Sequence, residues 1–232
     1  MAELHVVRLL AAEEFQKQQN RLLTRVSSKR VERCRRFRNA ADVQRSLLGE
    51  LLVRAVLCVD HGFSNAQLVF DTDARGKPYL AGMTGLHFNV SHSGEWVAVA
   101  ISPLPVGVDV EAVRGVDLAV ARRFFAPEEM AWLLSRTPVE QAQAFYQLWT
   151  AKESVLKNLG QGLQLPLDRI LIRGTAPDRL RLESRLDQPL PDLFLRLYQP
   201  APDAILALCS REPCLPADIR QWSVSSLLNN IR

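Results

Sequence analysis

The chain has 232 residues, 47% hydrophobic and 23% charged, with a formal net charge of +4, the balance of a globular soluble protein with one large domain or two small ones. No apolar run approaches the roughly 18 residues that a membrane-spanning helix requires, so no such helix is expected. "MAELHVVRLLAAEEF" lacks the basic leader of a secretory signal, and Cys34, Cys58, Cys209 and Cys214 lack C-x-x-C spacing or a nearby histidine; reduced thiols in a cytoplasmic protein are expected.

"LHVVRLL" predicts a first strand, followed by a polar helical stretch and then the basic run "KRVERCRRFR" at 29–38. That run holds Lys29, Arg30, Arg33, Arg35, Arg36 and Arg38 against the single acid Glu32. It favours a polyanion or a phosphate-bearing small molecule, and it reads equally well as a solvated helix face. Residues 40–60 predict a strong helix, with Val43, Leu47, Leu48, Leu51, Leu52, Ala55 and Val56 at helical spacing and Arg45, Glu50 and Arg54 opposite. Gly62 suits its C-terminal end. "DTDARGKPYL" at 71–80 is a turn-rich loop broken by Gly76 and Pro78.

"HFNVSH", "WVAVAIS" and "VGVDVE" then predict three strands, joined through Ser93-Gly94 and Pro103-Leu104-Pro105, as an antiparallel meander. Three helices follow at "LAVARRFF", "PEEMAWLL" and "AQAFYQLWTAKESVLKNL", the last ended by Gly160. Strand candidates continue through "RILIRG", "RLRLES", "LFLRLY" and "AILALCS". The pattern is α+β in each half. The prolines at 103–105 are the candidate boundary, giving domains 1–104 and 105–232.

Residues two apart on a strand share a face, roughly 6.5–7 Å apart. Gly107, Asp109 and Glu111 therefore face one way, and Val106, Val108 and Val110 face the core. The glycine is read as leaving the acidic face open. Two carboxylates without a paired lysine repel unless a cation sits between them, and Mg²⁺ takes such oxygen ligands while keeping positions for water or phosphate. Two solvated acids on an exposed sheet face are the plainer reading. In "LWTAKESVLK", Trp149 and Glu153, and Glu153 and Lys157, are i,i+4 neighbours, with Lys152 beside them. That is either a surface ion pair over an aromatic anchor, or a third metal ligand or general base with a lysine reaching phosphate. In "NVSHSG", His92 lies away from the core, beside a hydroxyl and a turn.

"GVDVE" and "WTAKES", with "FNVSHS", "GKPYL", "RCRRF" and "RSLLGELLVR" in the same order, resemble the 4′-phosphopantetheinyl transferases, in their larger, surfactin-synthetase-activating class. The resemblance covers roughly residues 28–170. It implies two similar α+β subdomains in a pseudo-two-fold relation, each a small, mostly antiparallel sheet on a long helix, with the active site in the cleft between them. It implies Mg²⁺ held by Asp109, Glu111 and Glu153, and coenzyme A as substrate. A serine of an apo acyl or peptidyl carrier protein attacks the β-phosphorus, 3′,5′-adenosine bisphosphate leaves, and Glu153 takes the serine proton.

Lys157 matches a phosphate-contacting lysine, and Lys152 is counted with it in the cofactor-binding set. Together with Asp109 and Glu153, Lys157 makes up the expected catalytic set. Ser91, His92, Gly76, Lys77 and Pro78 match further coenzyme A contacts. Arg30 and Arg33 stand where the family has lysines on the 3′-phosphate, and Ser46 where it has a threonine; arginine binds phosphate bidentately. Lys29 competes with Arg30 for that register. Carrier recognition is expected on exposed apolar surface around Phe124, Phe125 and 113–135.

Two rivals use the same features. A nucleic-acid module on 29–45 needs interleaved aromatics, and the cluster offers only Phe37. A Mg²⁺-dependent nucleotide phosphohydrolase uses the same acids. The expected protein acts as a monomer on coenzyme A and carrier proteins, without nucleic acid or membrane.

Overall fold

The computed structural model describes residues 1–174 and 180–231. Its elements are β1 (Glu3–Arg8), α1 (Ala12–Leu23), α2 (Ser28–Cys34), α3 (Ala40–Asp60), β2 (Phe70–Thr72), β3 (Pro78–Leu80), β4 (His87–Ser93), β5 (Trp96–Ser102) and β6 (Val106–Ala112). Then follow α4 (Leu118–Phe124), α5 (Pro127–Leu134), α6 (Pro138–Leu159), β7 (Ile170–Arg173), β8 (Arg181–Ser184), β9 (Phe194–Ala201), β10 (Ala204–Ser210), β11 (Arg220–Trp222) and α7 (Val224–Asn230). The candidate strand "RLRLES" begins at Arg179, outside the described residues. Among the described residues no helix is long and apolar enough to cross a membrane.

Two sheets, ordered β11-β1-β5-β4 and β6-β10-β9, make an α+β fold of two alike halves. Strand alternation explains the layering. Ala98 and Ala100 of β5, Val106, Val108 and Val110 of β6, and Leu206 and Leu208 of β10 form one core between the sheets. Val97, Val99 and Ile101 of β5 point the other way, onto α3 and its core. Ile205, Ala207 and Cys209 of β10 point onto the core under α6. Each sheet thus carries one long helix on its outer face. Strand β5, buried on both faces, accordingly reads as an unbroken apolar run.

The meander expected from β4 to β6 stops after β5. Strand β6 pairs with β10 in the second sheet, with Asp109 opposite Ala207. The physical cause is the Pro-Leu-Pro link: proline fixes φ near −65° and cannot supply the positive φ of a tight hairpin turn. The end of the chain also departs from a division at 104/105. Strand β11 pairs parallel to β1, and α7 packs in the first half's core through Val224, Leu227 and Leu228. The 71–80 loop contains a short antiparallel hairpin, β2 with β3. Helix α6 starts four residues before the expected stretch, with Pro138 in its first turn and the Glu140 carboxylate accepting from the Thr137 N–H at 3.1 Å.

Candidate active site

The edges of the two sheets meet at β4 and β6, and side chains do the joining. Asn89, Ser91 and Ser93 lie on one side of β4. Asn89 Oδ1 accepts from the Val108 N–H at 2.9 Å, Ser91 Oγ donates to Asp109 Oδ1 at 2.8 Å, and Ser93 Oγ donates to Glu111 Oε2 at 2.5 Å. This rung-by-rung ladder holds both acids in place. Ser91 was expected here; Asn89 and Ser93 were not, although the period of two in "FNVSHS" is the signal that finds them.

Helix α6 brings the third acid. The Lys157 ammonium donates to Asp109 Oδ1 at 2.6 Å and to Ser91 Oγ at 2.9 Å. Asp109 is 3% exposed, so the acidic face is closed, contrary to the open face expected. What closes it is α6, packed directly over Gly107. Burial pushes the carboxyl of Asp109 up, against the pull of Lys157. Glu111 is pushed up by burial, opposed by its bond from Ser93 and reinforced by Asp109. Glu153 is pushed up by burial, then by Asp109, with Lys157 opposing and Glu111 adding. Three carboxylates thus crowd one ammonium.

The donor set suits a hard divalent cation. Asp109 Oδ2 is buried and has no hydrogen-bond partner, and its neighbours offer further carboxylate oxygens. Among the described residues, the histidine–carboxylate group whose ligand atoms all lie within 4.8 Å of one another is instead Glu3, His5 and Asp60. The cleft acids are spaced more widely. The Glu3 group is satisfied internally: Trp222 Nε1 donates to His5 Nδ1 at 3.2 Å, which leaves the Nε2 proton for Glu3. Arg220 holds Asp60 at 2.7 Å. It ties β11 to β1 and α3.

A cleft of about 800 Å³ opens beside the acids, lined by Ala74–Pro78 and Asn89 on one side and by Glu153, Leu156, Lys157 and Gly160–Gly162 on the other. Gly76 and Pro78 therefore border it. Lys77 does too, but its ammonium donates to the Lys157 carbonyl at 2.6 Å. His92 is exposed at the end of β4, its pKa lowered by burial of part of the ring and by the nearby charges of Arg45 and Lys157.

The basic cluster is partly committed. Arg30 Nε donates to Glu50 Oε2 at 3.0 Å, and its Nη1 reaches Ser46 Oγ at 3.3 Å. Buried Glu50 also accepts from the Ser27 N–H at 2.7 Å and from Arg54. Arg30 therefore stands beside Ser46, while Lys29 pairs with Asp71 at 3.2 Å. Arg33 lines a hollow with Lys29, Glu32, Arg36 and Phe37.

Two expectations are corrected. Lys152 is fully buried, paired with Glu129 Oε2 at 2.8 Å and donating to the carbonyls of Leu167 and Ile170. Its side chain lies on the face of α6 turned into the second half, and Lys152 is not among the residues that line the cleft. Phe125 is likewise buried, 3% exposed, with its ring 5.4 Å from that of Phe145. Phe124 is half-buried, edge-on to Trp149. Neither ring supplies the exposed apolar surface expected; in that stretch Leu134 is the large apolar side chain in the open.

Residues 105–209 match the 4′-phosphopantetheinyl transferase superfamily, and residues 13–104 match the family described as 4′-phosphopantetheinyl transferase, N-terminal. The 4′-phosphopantetheinyl transferase ffp of Bacillus subtilis is 38% identical over 217 residues, covering 92% of this chain and 94% of that protein. The 4′-phosphopantetheinyl transferase Sfp of Bacillus subtilis (strain 168) is 36% identical over the same length and coverage. The 4′-phosphopantetheinyl transferase gsp of Aneurinibacillus migulanus is 36% identical over 179 residues, 75% of each chain.

Proposed function

The chain belongs to the 4′-phosphopantetheinyl transferase superfamily, as an enzyme of its Sfp-like class that transfers the phosphopantetheine group to carrier proteins, and we propose that its donor is coenzyme A, that Mg²⁺ is required, and that 3′,5′-adenosine bisphosphate is released. One observation carries this reading. A buried carboxylate oxygen without a partner, Asp109 Oδ2, sits beside Glu111 and Glu153, whose pKa values are pushed up by burial first and by the neighbouring acids after it, and Glu153 lines the adjoining cleft together with Arg75, Lys77 and Lys157. Such a site calls for a cation below and a polyanionic substrate above.

Asp109, Glu111 and Glu153 would hold the Mg²⁺. When bound, the ion supplies charge neutralisation on the pyrophosphate oxygens. The protein's own groups account for the rest. Lys157 adds positive charge beside Asp109, Arg45 extends it toward the end of β4, where it donates to the Gly94 carbonyl, and His92 offers a neutral imidazole there. Arg30 with Ser46, and Arg33, receive the 3′-phosphate, and Gly76 and Pro78 border the adenine end.

The carrier serine oxygen forms a bond to the β-phosphorus as the bond from that phosphorus to the bridging oxygen breaks. The bridging oxygen leaves on the adenosine bisphosphate, and the serine proton passes to Glu153. Incubation with coenzyme A, Mg²⁺ and an apo carrier should raise the carrier's mass by one phosphopantetheine. Coenzyme A cleaved beside an unchanged carrier would instead indicate a phosphohydrolase and overturn this reading.

A further inference from the structure

Two side chains of the loop between β2 and β3 cross to the C-terminal end of α6. Arg75 Nη1 donates to the Gly160 carbonyl at 2.9 Å, and Lys77 Nζ donates to the Lys157 carbonyl at 2.6 Å. Their partners lie 85 and 80 residues further along the chain. The acceptors are apt: the last carbonyls of a helix lack intrahelical partners and carry the negative end of its dipole. Gly160 itself closes α6 in the left-handed region, φ 66°, which turns its own carbonyl away from the helix path.

The loop behind these contacts is braced internally. Asp73 Oδ1 accepts from the N–H of Arg75 at 2.9 Å and of Lys77 at 2.8 Å. The Asp73 N–H donates to the Lys77 carbonyl at 3.0 Å, and the Gly76 N–H to the Asp73 carbonyl at 2.9 Å. A loop tied this way moves as one body, so the two cationic grips set its distance from α6. Lys77 is half-buried. Arg75 is exposed and forms the wall between the cleft and a second hollow lined by Tyr79, His87 and Arg211.

We propose that Arg75 is a positioning residue: by gripping Gly160 across the cleft mouth it fixes the spacing between the β2–β3 loop and α6, and hence the affinity for the part of the substrate beyond the pyrophosphate. The proposal rests on the reading that coenzyme A occupies this cleft. Glu153 and Lys157 stand at one end of the cleft, where the reacting phosphorus belongs. Ala74–Pro78 and Gly160–Gly162 wall the remainder, which receives only the non-reacting portion. Releasing the loop therefore loosens binding while leaving the reacting groups in place. Lysine at the same position reaches the carbonyl as a single point donor, without the planar fork.

The test compares Arg75→Ala and Arg75→Lys with the wild type, by carrier transfer and by calorimetric binding of adenosine 3′,5′-bisphosphate, which needs neither carrier nor chemistry. For Arg75→Ala the KM for coenzyme A and the Kd for the bisphosphate should rise about tenfold, with kcat within about twofold, and Arg75→Lys should recover part of the loss. Thermal unfolding of both variants should match the wild type, because Arg75 is exposed. An Arg75→Ala protein that binds and turns over like an active wild type overturns the proposal alone, and so does a loss confined to kcat. A wild type that binds no coenzyme A removes the functional reading and this proposal with it.

Discussion

Gly107 on β6 lies flush against Asn158 on α6. A β-carbon on Gly107 would come 2.3 Å from the Asn158 backbone nitrogen and 2.1 Å from the Ser154 carbonyl oxygen. The Asn158 side chain completes the join, donating to the carbonyls of Pro105 at 2.8 Å and Cys209 at 3.1 Å. Strand and helix thus touch backbone to backbone, and this contact holds Lys157 against Asp109. The glycine does not leave room for a pyrophosphate; it leaves room for the helix that carries Glu153 and Lys157.

Gly107→Ala should therefore damage both fold and activity. The methyl meets backbone atoms that cannot rotate away, so α6 must shift outward, at a cost in the upper part of the usual ~1–3 kcal/mol for overpacking. A displacement near 1 Å at the reacting groups should lower transfer about 100-fold. Urea unfolding and carrier turnover measure the two effects. A variant with wild-type turnover would remove the argument that this contact sets the site.

The acids make an opposite prediction about stability. Glu153 and Glu111 have raised pKa values in the folded state, so the native protein binds protons that the unfolded chain has released. Stability from this source is present below the ordinary carboxylate range of about 4 and falls as pH rises through the raised values. Glu153→Gln and Glu111→Gln should abolish transfer yet raise the Tm at pH 7 to 8, by ~1 kcal/mol equivalent, with the gain vanishing near pH 4. Mg²⁺ should raise the Tm of the wild type and leave both variants unmoved. Equal Mg²⁺ shifts in all three proteins would contradict the metal assignment.

Legibility followed locality. The bounds of α3 at 40 and 60 were readable because its apolar spacing and its terminal glycine lie in one window. The two strand acids were readable as a partial cation site and Glu153 as one reading of its helix motif, while their joining into one site, with Ser91 beside it, came only through resemblance. The missing part is non-local. Nothing near Gly107 says whether its bare face meets a ligand or a helix backbone, and nothing near Trp222 announces β1, some 215 residues earlier. Lys152 adjoins Glu153 in sequence, but successive helical residues point about 100° apart. Neighbours in "KES" therefore serve different sides of α6.

Lys152 should consequently behave as a structural residue. Lys152→Met leaves Glu129 buried without its cation, and breaking a buried pair in this way costs roughly 3–5 kcal/mol. Glu129 also accepts from the Ala126 and Ile172 N–H groups, both at 2.8 Å, so the loss should spread into α5 and β7. Coupling Lys152→Met with Glu129→Gln should recover much of that stability. In the double variant the KM for coenzyme A should stay within about twofold of wild type. A large rise in that KM in a stably folded double variant would return Lys152 to the substrate.

The last prediction separates the two jobs of Arg30. Its Nε holds buried Glu50 at 3.0 Å, while its Nη1 stands at Ser46, 3.3 Å away, where a phosphate would share both groups. Arg30→Ala removes both, so a fall in stability and a weaker substrate are expected together. The substrate is what distinguishes them. With 3′-dephospho-coenzyme A the variant and the wild type should show similar KM values. With coenzyme A the variant should be about 10–30-fold worse, the loss of one charge-assisted phosphate contact. Ser46→Ala should show the same selectivity more weakly, with little change in Tm, since Glu50 keeps its partners. Lys29→Ala should show none of it, because Lys29 is drawn to Asp71. A 3′-phosphate preference that disappears with Lys29 and survives in Arg30→Ala would shift the register of the whole basic cluster by one residue.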